Sequence, residues 1–334
     1  MKKKVIGVYA PSSPAHIWFE EKYLFAKKQL ENMGFEIVEG DLVKDRVYQG
    51  YRTASAKERA EEMMNLVKNK DIDIDIIMPV IGGYNSGSLL PYLDFDEIEK
   101  SKKKFFGYSD ITALQMAILK KTNLKPIYGG SLIPTFGEYE GISLFLKNTL
   151  DNLFFKKSYS LEEPEFYSNK LLNAFTDEWK NKKREYIKNE GWKILNEGEA
   201  EGEVIIANID TLVSLLATEY VPSFKDKILI LEEMNATIDS EERNLNTLKL
   251  SGVFEGVKGL IFGKPEVYNN KNSNLEYIDI IKEVLGERNY PIIYNFDCGH
   301  TIPSLIISQD SLLSLKANHM TGIKVEILKN SYIG

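Results

Sequence analysis

A single cysteine, Cys298, and only three histidines, His16, His300 and His319, stand in 334 residues. One thiol cannot close an internal disulfide, so a disulfide-stapled secreted scaffold is excluded and a reducing, cytoplasmic setting is expected. Missing too is any run near the roughly 18 consecutive apolar residues of a membrane span. Nor is there a long basic block. Net charge is −7, and the lysine clusters at 2–4, 102–104 and 180–184 are short enough to read as solvated surface, so no nucleic-acid groove is expected. The start, Met1-Lys2-Lys3-Lys4 before Val5–Ala10, imitates a secretory signal. Its apolar core is shorter than the roughly 7–15 residues of a signal, and a first strand entering a Pro-Ser-Ser-Pro loop explains it better.

What is present is ordinary globular material, 43% hydrophobic and 27% charged, and long enough for two domains. The first half alternates strand and helix. Strands are expected at 4–10, 35–38, 74–81, 104–106 and 126–128, with helices at 17–33, 55–69, from 109 onward, and 142–153. Ser55 and Glu58 form a capping box. Such alternation predicts a doubly wound parallel α/β sheet, whose ligands sit at the carboxyl ends of the strands. Gly82-Gly83 and Ser109 fall at two such ends.

Residues 157–200 break the rhythm and read as a linker with an inserted loop. Strands then dominate, near 202–206, 227–231, 257–262, 292–294 and 323–327, interrupted by helices near 209–217, 239–250 and 277–285. The expected division is a nucleophile domain at 1–156, a linker and substrate loop at 157–190, and a strand-rich α+β domain at 191–334.

Ser109, in Phe106-Gly107-Tyr108-Ser109-Asp110-Ile111, lies between an apolar strand and an amphipathic helix. At the helix N-cap it would sit beside unpaired backbone N–H groups that stabilise a developing negative charge. A serine needs a base, and histidine is the usual one. His300 follows a strand, between Gly299 and a stiffening Pro303; a histidine hydrogen-bonded in a turn is the equal alternative. Glu232 continues the apolar strand Lys227–Leu231 and is the candidate orienting acid, against the plainer reading of an acidic pair opening a solvated loop. Cys298 reads as a small core residue.

Together, Ala10-Pro11-Ser12-Ser13-Pro14, Gly82-Gly83-Tyr84-Asn85-Ser86, Gly107-Tyr108-Ser109-Asp110, Leu231-Glu232-Glu233 and Gly299-His300-Thr301 resemble the LD-carboxypeptidase family of serine peptidases. The closest likeness is to its microcin C immunity (MccF-like) branch, through Asn189-Glu190-Gly191-Trp192-Lys193, Asn196-Glu197-Gly198 and Ala200-Glu201-Gly202. The resemblance implies Ser109 as nucleophile, His300 as general acid/base and Glu232 as its partner. It places an oxyanion hole at the Gly83 and Asp110 N–H groups and substrate contacts at Asn85, Ser86 and Asn208. It implies no metal or cofactor, and a homodimer. Trp179 falls where the immunity branch stacks an adenine, a contact worth roughly 1–3 kcal/mol; Tyr84 stands where some of these relatives have asparagine. The expected substrate is an aspartyl group joined to a modified nucleotide. The alternatives are a murein tetrapeptide losing D-alanine, and a small-molecule binding protein with no turnover.

Overall fold

A computed structural model describes residues 3–170 and 172–333, so Lys2 of the first lysine cluster lies outside the described residues. The chain separates into two compact units. Met1–Ser143, Leu172–Lys183 and Thr218–Pro222 form the first. Its strands are β1 (Val5–Tyr9), β2 (Glu36–Glu39), β3 (Ile76–Pro79), β4 (Lys104–Gly107) and β5 (Ile127–Tyr128). They pair in parallel in the order β2-β1-β3-β4-β5. Every residue of β1 and β3 is buried, as a sheet covered on both faces requires. Because β2 lies on one side of β1 and β3 on the other, the winding reverses between β1 and β3, where such sheets leave a crevice for ligands.

The Ser55–Glu58 capping box opens helix Ala56–Lys68: Ser55 Oγ accepts the Glu58 N–H at 3.3 Å, and Glu58 accepts the Ser55 N–H at 3.0 Å. The helix expected over 17–33 is instead two, Ala15–Trp18 and Glu20–Asn32. The break at Phe19 goes with an edge-on contact of its ring against Phe175 at 4.6 Å.

Leu144–Leu171, Arg184–Ala217 and Ser223–Gly334 form the second unit. Helix Leu144–Phe155, expected in the first domain, belongs here: Phe154 packs 5.3 Å from Tyr332, and Asn330 Nδ2 donates to the Leu153 and Lys156 carbonyls at 2.8 and 2.9 Å. Across the sheet the strands run Tyr159–Ser160, Gly322–Lys329, Leu312–Asn318, Gly198–Asn208, Ile228–Glu232, Gly259–Gly263, Ile292–Phe296 and Lys193–Asn196. The four from Gly198–Asn208 to Ile292–Phe296 are parallel, and antiparallel strands flank them on both sides. Glu232 is thus the carboxyl-terminal residue of a fully buried parallel strand, and His300 follows the end of another. Strand Leu312–Asn318 is not among the strands that the sequence predicts. Among the described residues no helix is long and apolar enough to cross a membrane.

Candidate active site

At the end of β4 the chain passes through an extended Tyr108 and turns at Ser109 with φ of +62°. A serine rarely holds a left-handed backbone, and doing so costs about 1–3 kcal/mol. The turn thrusts the side chain out at the strand tip, as in the elbow that presents a nucleophile in α/β hydrolases. The expected N-cap role is not what forms. A 3-10 turn, Ser109–Ile111, comes first, and helix Thr112–Lys121 starts behind it with Ile111 at the N-cap. Turn and helix still direct backbone N–H groups toward the serine's side of the strand end.

The Gly82-Gly83 loop after β3 lies against this turn. A Cβ placed on Gly82 would come 3.3 Å from Asp110 Cβ and 3.5 Å from Ser109 Cβ, so the loop runs close against the Ser109 turn. Gly83, at φ +148°, rests on Ser12 and Ser13 of the loop after β1. Among the described residues neither the Gly83 nor the Asp110 N–H enters a hydrogen bond, so both remain available to an incoming oxygen.

Asp110 is buried, and its carboxylate accepts the Ser86 N–H at 3.0 Å and the Asn85 N–H at 3.2 Å. Burial raises its pKa against these bonds. Ser86 is fully buried and donates its hydroxyl to the Asp110 carbonyl at 2.6 Å. Ser12 Oγ accepts the Tyr84 and Asn85 N–H groups at 3.1 and 3.2 Å. Asn85 and Ser86 therefore lie beside Ser109, holding its turn to the Gly82-Gly83 loop.

Arg59 escaped the sequence reading. It is 1% exposed, and its guanidinium donates to Ala54 O at 3.0 Å, Asn85 Oδ1 at 2.5 Å, Ser88 Oγ at 3.1 Å and the Pro11 carbonyl. It bolts the loops after β1 and β3 together. The available signal is an arginine among Ala60, Met63, Leu66 and Val67, on a helix face that also buries Glu62. Arg59→Met should lower the unfolding free energy in urea by about 3 kcal/mol, because several buried acceptors lose their donor at once.

In the second unit, His300 Nδ1 meets Glu232 Oε2 at 2.6 Å, with both side chains buried. Burial by itself would depress the imidazole. The Glu232 carboxylate, helped by Glu266 and Glu233, outweighs it and raises the His300 pKa above the ordinary value. Gly299 holds φ +131°, and a Cβ there would strike Glu232 Oε2 at 2.6 Å. Glycine at this position is what lets the pair close.

Asn208 caps helix Ile209–Leu215, accepting the Thr211 N–H at 3.1 Å, and donates to Glu233 Oε1 at 3.1 Å. It thereby anchors the acidic strand end. Burial, then repulsion from Glu232, pushes the Glu233 carboxyl up to about 7. Neither other histidine has such a partner. His16 is buried, and that burial drops it to about 4, while His319 lies exposed in a hairpin turn. Cys298 is a buried free thiol.

Trp179 belongs to the first unit and is 6% exposed. Its ring meets Tyr139 edge-on at 5.7 Å and Phe25 at 6.0 Å, and Lys22 Nζ sits 5.9 Å from its centroid. The open stacking face expected of it is not presented. Phe175, four residues earlier and 71% exposed, is the bare ring of this insert. Among the described residues no group of three or more His, Cys, Asp or Glu is arranged to hold a metal ion.

Residues 6–129 match the description of the LD-carboxypeptidase N-terminal domain, and residues 201–314 that of the LD-carboxypeptidase C-terminal domain. A putative carboxypeptidase of Vibrio cholerae is 36% identical over 308 residues, which span 90% of this chain and 89% of that protein. The microcin C7 self-immunity protein MccF of Escherichia coli is 35% identical over 306 residues, spanning 90% and 87%. Among solved structures, MccF in complex with aspartyl sulfamoyl adenosine superimposes at a TM-score of 0.90 with 32% identity, covering 99% of this chain and 97% of that one.

Proposed function

Because this chain belongs to the LD-carboxypeptidase family of peptidases, we propose that it is a serine peptidase whose triad is Ser109, His300 and Glu232. The observation that carries the reading is the buried 2.6 Å bond between His300 Nδ1 and Glu232 Oε2. That bond commits Nδ1 as the donor and leaves Nε2 as the nitrogen that takes the Ser109 proton. Ser109 Oγ then adds to the scissile carbonyl, and the developing oxyanion is met by the Gly83 and Asp110 N–H groups, each worth roughly 3 kcal/mol. His300 returns its proton to the leaving amine, and water releases the acyl group by the same steps in reverse order. Asn85, Ser86 and Asn208 serve this chemistry by holding the loop and strand end on which it depends.

The substrate we favour is an aspartyl group joined through an amide-type bond to a modified nucleotide, with activity in the cytoplasm as a homodimer that disarms such a compound. Support comes from the likeness to MccF, solved with aspartyl sulfamoyl adenosine, and from an insert that carries Trp179 and Phe175. One observation favours a second reading, removal of D-alanine from a murein tetrapeptide: Trp179 has its ring covered, and a nucleobase needs a bare face.

Incubation with aspartyl sulfamoyl adenosine and, separately, with a murein tetrapeptide decides between them. Cleavage of the nucleotide conjugate is expected; cleavage of the tetrapeptide alone overturns the favoured substrate. Trp179→Ala should lower the unfolding free energy by about 3 kcal/mol, because it empties a site packed between Phe25 and Tyr139.

A further inference from the structure

The motif Asn189-Glu190-Gly191-Trp192-Lys193 has no task in the chemistry above, yet it grips the segment that carries His300. Trp192 Nε1 donates to Asp297 Oδ2 at 2.9 Å, and Asn189 Nδ2 lies 3.4 and 3.3 Å from the two Asp297 carboxylate oxygens. Lys264 Nζ pairs with Asp297 Oδ1 at 2.5 Å and donates to the Asn295 carbonyl at 2.7 Å. Asp297 is fully buried and Lys264 is 2% exposed. A buried ion pair contributes little net stability, so its use is sought in what it holds in place.

What it holds is the stretch from 297 to 305. The Asp297 carbonyl accepts the Leu305 N–H at 2.7 Å, which closes the stretch into a loop. At its far turn, Ile302 and Ser168 exchange backbone bonds of 3.0 and 2.8 Å. His300 sits between these two ties.

We propose that Asp297, clasped by Asn189, Trp192 and Lys264, is a positioning residue for His300. The catalytic consequence rests on the peptidase reading; the positioning itself does not. Trp192→Phe removes the indole N–H and keeps a ring against Phe296, which it now meets at 4.7 Å. Three histidines make nitrogen-15 NMR of the imidazoles simple to assign, and the Nδ1 proton held by Glu232 gives a low-field signal.

In substrate-free protein that signal is expected to shift or broaden in Trp192→Phe and in Asn189→Ala, read at a temperature below the melting transition of each variant. Turnover should fall about ten- to hundredfold in kcat with KM unchanged, as a small misplacement of a catalytic group produces. Asn189 is half-exposed, so its variant is read even where the tryptophan variant fails to fold. An unmoved His300 signal in folded protein overturns the proposal, even where Ser109 proves essential. A moved signal with hydrolysis that does not depend on Ser109 overturns the peptidase reading and leaves the positioning role standing.

Discussion

Exchanging Ser109 for alanine should lower turnover by on the order of a millionfold, the loss seen when a triad hydrolase gives up its nucleophile. Substrate affinity, measured by calorimetry on the same variant, should change little, because the Gly83 and Asp110 N–H groups and the surrounding loops remain. This pairing separates a peptidase from a binding protein: a protein that only sequesters its ligand would neutralise it equally well without the hydroxyl. Retention of turnover within about tenfold would remove Ser109 from the chemistry. A companion change tests the backbone. At φ +62°, Ser109 occupies a conformation that glycine adopts freely, so Ser109→Gly should raise the unfolding free energy by about 1 kcal/mol while abolishing hydrolysis. A gain in stability bought with lost activity marks strain held for function.

Glu232→Gln is the second large effect. The amide can still meet His300 Nδ1, but under the proposed triad it would no longer offer the negative charge that stabilises an imidazolium in the transition state, and it would leave the ring's tautomer unfixed. The expected fall in kcat is on the order of ten thousandfold, as for the matching acid of other triads. The pH profile carries the sign. His300 acts as a base only when neutral, and Glu232 raises its pKa, so the acid limb of kcat/KM lies above the ordinary imidazole value of about 6.5.

In the glutamine variant burial is left without its counterweight, and the limb should move down. Stability follows the same linkage. With the folded pKa above the unfolded one, the pair's contribution is complete below about pH 6.5 and fades as pH rises through the folded value. Denaturant melts from about pH 5 to 9 should show that slope in the parent and its loss in the variant. An acid limb that stays in place would dissociate Glu232 from His300.

The features legible in the sequence are those that local chemistry determines. Ser55 and Glu58 announce their helix because a capping box closes within one turn. The buried strands declare themselves as unbroken apolar runs, and the sequence alone therefore places Gly82-Gly83, Ser109 and Glu232 at strand ends. Residues whose meaning depends on distant partners stay hidden. Arg59 reads as a solvated helix charge until acceptors from Pro11, Ala54 and Asn85 surround it. Trp179 reads as a loop tryptophan until Phe25 and Tyr139 cover it. The left-handed turn at Ser109 has no compositional mark, since serine has no preference for it. In strand Leu312–Asn318, Leu313, Leu315 and Ala317 are buried, but so is Ser314, and this polar residue with Lys316 breaks the apolar run that would have revealed the strand.

The insert that brings Trp179, Phe175 and Lys180 back to the first unit has a bearing on biosynthesis. Lys180 pairs with Glu21 at 2.5 Å, and Phe175 covers Phe19, so the face of helix Glu20–Asn32 is finished only by chain that lies beyond Ser143. As the polypeptide leaves the ribosome, the half that carries Ser109 therefore waits with an uncovered aromatic flank until the first strands of its neighbour are being made. Truncation at Ser143 should yield a sticky, aggregation-prone fragment rather than a free-standing domain.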